Sequence, residues 1–389
     1  MNYFIDVFHL SLNKFGEELC GDQMEMVDTE DSKIIVLSDG LGSGVKANIL
    51  ATLTAKIAVT MLKEKASLED TLETIIKTLP VCSIRKLSYS TFTIIKAFKD
   101  GTVHILEFDN PSFFFLREGR HMEVEKKRHR IYGKIIHESV LKMKPSDYLM
   151  VVSDGVVHAG VGKLLNLGWK WEDIRKYVEN LSKVRKSAGL IVHEIIGFTN
   201  ILYDFMPGDD ATVFTLTMKE KKKLHLFTGP PRNPADDQLY IEAFGESEGI
   251  KVIAGGTTAN LISKGISKPL VVDLEGITKG HPPMATLEGA DLVTEGILTI
   301  GEVIDILDKF KTGNASGIVE RISEKNGPSR LSKLLIEEAT EIVIWMGTAI
   351  NPAHQEGGFR YDYNLKISQI NKLKTLLEGF GKEVTLLTI

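Results

Sequence analysis

Five aspartates carry the clearest chemistry in this chain. Asp22 sits in LCGDQMEM, Asp39 in IIVLSDGLGSG, Asp154 in YLMVVSDGVV, and Asp209 and Asp210 in MPGDDATVFTL. Each closes an apolar, strand-like run or occupies a turn beside one, and two of the runs end in the same Ser-Asp-Gly tripeptide. A carboxylate at a strand end can face a cleft, and the glycine after it lets another group approach. Taken singly, Asp-Gly at a strand end is an ordinary turn. Taken as a set without His or Cys beside them, the carboxylates suit a hard cation, since Mg²⁺ and Mn²⁺ prefer oxygen donors. A pair of such ions about 3.5–4 Å apart can polarise a phosphoryl group and lower the pKa of water. The chemistry that fits is metal-assisted hydrolysis of a phosphate ester. DGLGSG also has the look of a phosphate cradle, but Val45-Lys46 follow it in place of the Lys-Ser/Thr of a P-loop.

The first half of the chain must position these groups. KIIVLSD, STFTIIKAF, GTVHILEF, PSFFFLRE and DYLMVVSD read as strands, rich in β-branched and aromatic residues and bounded by Gly, Asp, Asn or Pro. Helical periodicity covers Lys46–Lys63, Leu68–Leu79, Trp169–Leu181 and Ala188–Thr199. Ser67 and Asp70 make a capping box for the second of these. Antiparallel-looking strands with a few long helices predict an α+β fold, sheet on sheet with helices outside. Val156–Trp171, with its glycines, reads as a mobile flap beside the acidic groups.

A lysine block in TMKEKKKL separates the strand-like ATVFTLTM from a new apolar run, LHLF. Charge between two strand patterns reads as a linker, so one domain is expected at about 1–220 and a second at 221–389. In the second, KVIAGG, KPLVVDL, ADLVTEG, EIVIWMG and EVTLLTI alternate with helical segments near Asn260 and at Ile300–Phe310, Leu331–Ala339 and Ser368–Phe380. That alternation predicts an α/β domain with a mainly parallel sheet. HQEGGFRYDY at 354–363 reads as an exposed loop.

The second domain holds its own chemical prospect. VIAGGTTAN runs from a strand through Gly255, Gly256, Thr257 and Thr258 into a helix, with Thr257 or Thr258 placed to cap it. A helix start of this kind can bind an anion, and open α/β sheets gather ligands at the carboxyl ends of their strands. Arg232, Asp236, Thr257, Thr258 and Glu295 are expected along one crevice, with a small anionic ligand, such as a nucleotide, at the Gly255–Thr258 turn. The same turn capped by threonine also stands without any ligand.

Composition narrows the classes. The chain has 389 residues, 43% hydrophobic and 25% charged, with net charge −5. Those are the proportions of an ordinary globular protein with a good core, and the charge argues against a nucleic-acid partner. Two cysteines, Cys20 and Cys82, form neither a disulfide framework nor a zinc motif, which points to a reducing, cytoplasmic setting. The start, MNYFIDVFHLSLNK, lacks the basic region and apolar core of a signal peptide. No apolar run is expected to reach the length of a membrane span, so no membrane partner is expected.

With CGDQ at 20–23, SDGLGSG at 38–44, FDNPSFFFLR at 108–117, SDG at 153–155 and GDDATVF at 208–214, residues 1–218 resemble the metal-dependent serine/threonine protein phosphatases, the PPM or type 2C class. They are most similar to its bacterial branch around stage II sporulation protein E. The resemblance implies a β-sandwich flanked by helices, with two Mn²⁺ or Mg²⁺ ions at one end. It implies Asp22, Asp39, Asp154 and Asp209 as metal ligands, Asp39 bridging the ions and Gly40 offering its carbonyl; Asp210 is the neighbouring alternative to Asp209. It implies attack on phosphorus by a water held between the ions, with no phosphoenzyme, on a phosphorylated regulatory protein. His158 is a conceivable proton donor to the leaving oxygen. The arginine that anchors phosphate in other branches is not evident here. Two alternatives stay open: a scaffold sensing a small anion through its second domain, and a small-molecule phosphohydrolase.

Overall fold

The structure is a computed structural model that describes residues 2–78, 90–184, 187–273, 283–313, 317–349 and 359–389. Its described residues gather into two compact units, Met1–Glu220 and Lys221–Ile389. Cys82 and residues 354–358 of the expected loop lie outside the described residues.

The first unit runs β1 (Phe4–Leu12), β2 (Asp22–Asp28), β3 (Ser32–Gly40), α1 (Gly44–Lys63), α2 (Leu68–Thr78), β4 (Ser90–Phe98), β5 (Thr102–Phe108), β6 (Phe114–Arg117), β7 (Arg120–His121), β8 (Lys127–Ile131), β9 (Lys134–Lys142), β10 (Tyr148–Val152), α3 (Asp154–Val157), α4 (Trp171–Val184), α5 (Ala188–Leu202) and β11 (Ala211–Lys219). Two sheets form, ordered β1-β11-β10-β6-β7 and β2-β3-β4-β5-β9-β8. Every pairing within them is antiparallel. Side chains alternate across a strand, and alternate residues from both sheets meet in one core: Ile35 and Leu37 of β3, Ile95 of β4, Leu149 and Val151 of β10, and Phe214 and Leu216 of β11. The residues between them face the other way. Ile34, Val36, Phe92 and Ile94 pack instead on Ala55, Ala58 and Leu62 of α1 and on Leu72 and Ile75 of α2. On the other sheet, α5 lies along β1 and β11. The unit is a β-sandwich flanked by helices, as the strand patterns predict.

The Ser67 cap of α2 is present. Its hydroxyl donates to Asp70 Oδ2 at 2.6 Å and accepts the Asp70 N–H at 3.0 Å. One expectation fails: α1 does have the length and apolarity of a membrane span. One face of it packs on the sheet through Ala55, Ala58, Val59 and Leu62, while Val45, Ile49 and Leu53 are exposed.

The second unit runs β12 (Lys223–Thr228), a 3-10 turn (Pro234–Asp236), α6 (Asp237–Glu246), β13 (Ile250–Ala254), α7 (Gly256–Gly265), β14 (Val271–Val272), β15 (Ala285–Thr286), β16 (Leu292–Thr294), α8 (Ile297–Thr312), α9 (Ile318–Ile322), α10 (Gly327–Lys333), a π-helical turn (Leu334–Glu338), β17 (Glu341–Met346), α11 (Phe359–Gly379) and β18 (Glu383–Thr388). Its sheet has the order β14-β15-β16-β13-β12-β17-β18. The five strands from β16 to β18 are parallel, while β14 and β15 add an antiparallel edge. The expected strand KPLVVDL shortens to the two-residue β14, an exposed edge with little to pack against. Residues 359–363, expected as loop, open α11. Phe227, Ile253 and Val293 pack under Tyr240 and Phe244 of α6 and Ala259 and Ile262 of α7.

Candidate metal centre

The alternation that builds the sandwich core also delivers its carboxylates. Ile35 and Leu37 face the core, and Asp39 continues their row to the end of β3. Asp22 is the direct cross-strand partner of Asp39. On β11 the inward row Leu216, Phe214, Thr212 leads back to Asp210. Asp154 begins α3 immediately after β10 and Ser153. The end of the sandwich thus gathers Asp22, Asp39, Asp154, Asp209 and Asp210 from four separate stretches of chain. Like charges directly opposite each other on neighbouring strands are destabilising, so Asp22 facing Asp39 is costly unless a cation or proton intervenes.

The electrostatics carry that strain. Burial pushes the Asp39 carboxyl up to about 9, with the charges of Asp22, Asp154 and Asp209 adding to the rise. Burial likewise pushes Asp22 up to about 7, opposed in part by the neighbouring Ser153 and Thr212 hydroxyls and reinforced by Asp210 and Asp154. Asp209 is raised by burial and by Asp154, while Lys14 pulls it down. Asp22 is 3% exposed; the Ser153 and Thr212 hydroxyls lie near it, but among the described residues neither of its oxygens, nor Asp210 Oδ2, has a partner at full hydrogen-bond geometry. Unpaired buried carboxylate oxygens carry a large desolvation cost.

Those orphaned oxygens are the test of fit for a divalent cation, and the donor set is the hard, all-oxygen kind that Mg²⁺ and Mn²⁺ take. Among the described residues no three Asp, Glu, His or Cys side chains converge as a ligand set for a single ion. Mg²⁺ keeps several of its waters, so it needs few protein carboxylates.

Close packing fixes the backbone here. A Cβ on Gly40 would lie 2.0 Å from the Ala47 carbonyl oxygen, so α1 can start tight against β3 only because that position is bare. Gly155 is equally constrained, 1.9 Å from the Asp210 carbonyl oxygen. The Tyr203 hydroxyl donates to the Gly155 carbonyl at 2.7 Å, and burial together with Asp209 and Asp154 raises its own ionisation.

Asp209 and Asp210 divide their tasks. Asp210 is buried, and its Oδ1 accepts the Lys14 N–H at 3.0 Å. Asp209 is half-buried, accepts the Asp210 N–H at 3.0 Å, and is the one whose charge reaches Asp39. His158 is the exposed C-cap of α3. The sequence reading missed Lys14, Ser153, Thr212 and Tyr203. Lys14 stands 195 positions before Asp209, and nothing local in LNKFGEE marks it.

Residues 29–219 match the family described as stage II sporulation protein E, SpoIIE. That segment is a SpoIIE domain of the PPM phosphatase type. It includes Asp39, Asp154, Asp209 and Asp210, while Asp22 precedes it. No curated protein matches the chain. Among solved structures, the PP2C phosphatase domain with a fragment of the regulatory domain of SpoIIE from Bacillus subtilis is 18% identical, with a TM-score of 0.48; the match covers 56% of this chain and 64% of that one. The phosphatase domain of the same protein in a crystal form without domain swapping is 20% identical, with a TM-score of 0.43, over 56% of this chain and 94% of that one. RsbX in complex with magnesium is 19% identical, with a TM-score of 0.41, over 55% of this chain and 96% of that one. The chain therefore spans just under two thirds of the first of these structures. Outside the SpoIIE domain, residues 221–389 carry no family match.

In that second unit, Gly255 is the N-cap of α7 at φ 133°, and no side chain caps the helix. Neither Thr257 nor Thr258 does so, contrary to expectation. A β-branched residue does not adopt that φ, so the cap falls to the glycine and both threonines lie inside the first turn. Thr257 is exposed and Thr258 fully buried. Arg232 is exposed beyond β12, Asp236 is half-buried in the 3-10 turn, and Glu295 Oε2 accepts the Thr299 N–H of α8 at 3.5 Å.

Proposed function

We propose that the SpoIIE domain is a metal-dependent phosphatase acting on phosphoserine or phosphothreonine of a regulatory protein. The observation that carries this reading is Asp22 opposed to Asp39 across β2 and β3, with both Asp22 oxygens buried and, among the described residues, without a partner at full hydrogen-bond geometry. Asp39 feels the charges of Asp22, Asp154 and Asp209 together, which supports a role for it as the carboxylate that two ions would share. Gly40 brings its backbone to the same end of β3. A pair of Mn²⁺ or Mg²⁺ ions bound there would supply the charge that polarises the phosphoryl group and acidifies a water.

The chain's own residues do the rest. The packed backbone at Gly40 and Gly155 sets the carboxylates in place before substrate arrives. Lys14, whose charge already reaches Asp209, adds positive potential that favours an incoming phosphate. The turns after α3, with Leu164 and Leu167 exposed, offer a surface against which a protein substrate can lie. The test is turnover of a phosphoserine protein and of p-nitrophenyl phosphate, with and without Mn²⁺. Mn²⁺-dependent hydrolysis of both is expected. Absence of turnover in either metal would overturn the reading, and turnover of small esters alone would turn it to a small-molecule phosphohydrolase.

A further inference from the structure

The second unit has a feature that the phosphatase reading does not use. Its five parallel strands follow the order third, second, first, fourth, fifth along the chain: β16-β13-β12-β17-β18. Sheets of this doubly wound kind bind ligands outside the carboxyl ends of their strands, where the order reverses. Here β12 is flanked by β13 and β17, with Thr228 level with both Ala254 and Met346. The residue that follows each of these three strands is a glycine: Gly229, Gly255 and Gly347. The carboxyl edge of the sheet is therefore bare backbone across three adjoining strands.

Two of these glycines have packing reasons. A Cβ on Gly347 would lie 2.1 Å from the Pro230 carbonyl oxygen, and one on Gly229 would collide with the Lys366 ammonium. Gly256, the first residue of α7, has none. A Cβ there would meet nothing within 4 Å. The bare position opens onto the first turn of a ten-residue helix whose N-terminus no side chain caps. The neighbouring α8 differs, because Glu295 reaches its first turn.

An independent observation points into the same place. Thr258 is fully buried, and its Oγ1 has no hydrogen-bond partner among the described residues. That oxygen lies 3.4 Å from where a Cβ on Gly255 would be, facing the cap itself. Lys366 adds a positive charge. Its ammonium rests over Gly229 and donates to the Gly347 carbonyl at 2.6 Å, with no carboxylate partner among the described residues. Burial lowers its ionisation to about 8, so the charge is held there at a cost. An open helix N-terminus, an unpaired hydroxyl and an uncompensated ammonium along one bare strand edge are complementary to one thing, an oxyanion.

We propose that Gly255, Gly256, Thr258 and Lys366 form a site for the phosphate group of a small phosphorylated ligand. It is separate from the carboxylate centre, because its donors are the backbone N–H groups of the first turn of α7, a hydroxyl and an ammonium; Gly255 contributes its bare backbone, its own N–H donating to the Thr294 carbonyl at 2.9 Å. The experiment uses the full chain with metals removed by chelator, so that the carboxylate centre has no cation with which to hold phosphate. Pyrophosphate and ADP are titrated calorimetrically. Binding of at least one probe is expected in the wild type and in Asp39→Asn, weakened tenfold or more in Gly256→Val and Lys366→Met. Gly256→Val adds a side chain into open space and decides the matter even where Lys366→Met folds poorly. Tighter binding of ADP than of pyrophosphate would support a nucleotide, and the reverse a simpler phosphate. No binding of either probe at millimolar concentration, binding unaffected by Gly256→Val, or binding lost in Asp39→Asn would overturn the proposal. Failure here leaves the phosphatase reading standing, because that reading is tested by turnover in Mn²⁺.

Discussion

The acidic end of the sandwich and the glycine edge of the parallel sheet are built from similar local material and reach opposite electrostatic states. Both lie where strands stop, and both need bare backbone to do so. At the sandwich end, alternation carries carboxylates outward along rows that begin in the core, so the half-buried Asp39 meets Asp22, whose oxygens are buried. At the sheet edge, among the described residues, the charged group that rests over Gly229 and donates to the Gly347 carbonyl is the Lys366 ammonium. One place concentrates negative charge that calls for a cation; the other leaves donors that call for an anion. Backbone geometry brings strand ends together, and the side chains admitted there decide what they attract.

The largest effect that can break this contrast is on turnover. Asp39→Asn is expected to leave less than a tenth of wild-type activity in Mn²⁺, because under the proposed function both ions would share Asp39. In chelator the same variant is expected to melt no lower than wild type, since burial keeps the metal-free Asp39 carboxyl protonated up to about 9 and an amide replaces it with little change in volume. Retained activity would remove Asp39 from the site; a collapse in melting temperature would make its role structural.

Next in size are the close contacts. Gly40→Ala and Gly155→Ala each set a Cβ about 2 Å from a carbonyl oxygen, which is expected to cost about 1–3 kcal/mol or more as the backbone shifts. Urea unfolding measures this. A loss below about 0.5 kcal/mol would mean that the strand ends yield easily, and would weaken the argument that they hold the carboxylates rigidly.

A pH series on metal-free protein sharpens the comparison further. Asp22 and Asp39 keep their protons in the folded state up to about 7 and 9, against 3.8 for an ordinary aspartate. The folded form therefore binds more protons than the unfolded one above pH 4. Stability is full below that and is lost as pH rises through 7 and then 9. The melting temperature in chelator is expected to fall by several degrees from pH 5 to pH 9. The fall should shrink in Asp39→Asn and on adding Mg²⁺. An equal fall in the variant would assign the pH dependence to other groups.

The smallest effect belongs to the glycine edge. A Cβ at position 256 meets nothing within 4 Å, so Gly256→Val is expected to change stability by less than about 0.5 kcal/mol. Gly347→Ala, two strands away, should be clearly destabilising because of the Pro230 carbonyl. If the two were equally costly, the bare position at Gly256 would be a packing requirement and not an opening.

Much of this was legible in the residues themselves. The aspartates, the alternating strand patterns, the Ser67 cap and the change from antiparallel to parallel architecture around the lysine block all follow from local pattern, because side-chain alternation and capping depend on near neighbours. The pattern also misled locally. It assigned Thr257 or Thr258 the cap that a positive φ gives to Gly255, and it passed over the span-like length of α1, whose apolar residues pack against a sheet. What the tertiary structure alone decided is pairing at a distance. That Asp22 faces Asp39 depends on hydrogen-bond register between two strands, where a slip of one residue would turn either side chain to the other face. That Lys14 holds Asp210, and that Lys366 lies over Gly229, depends on chain segments 196 and 137 positions apart in the sequence being brought together by the packing of the core. Neither can be read from spacing, because burial sets these distances and burial is a property of the whole fold.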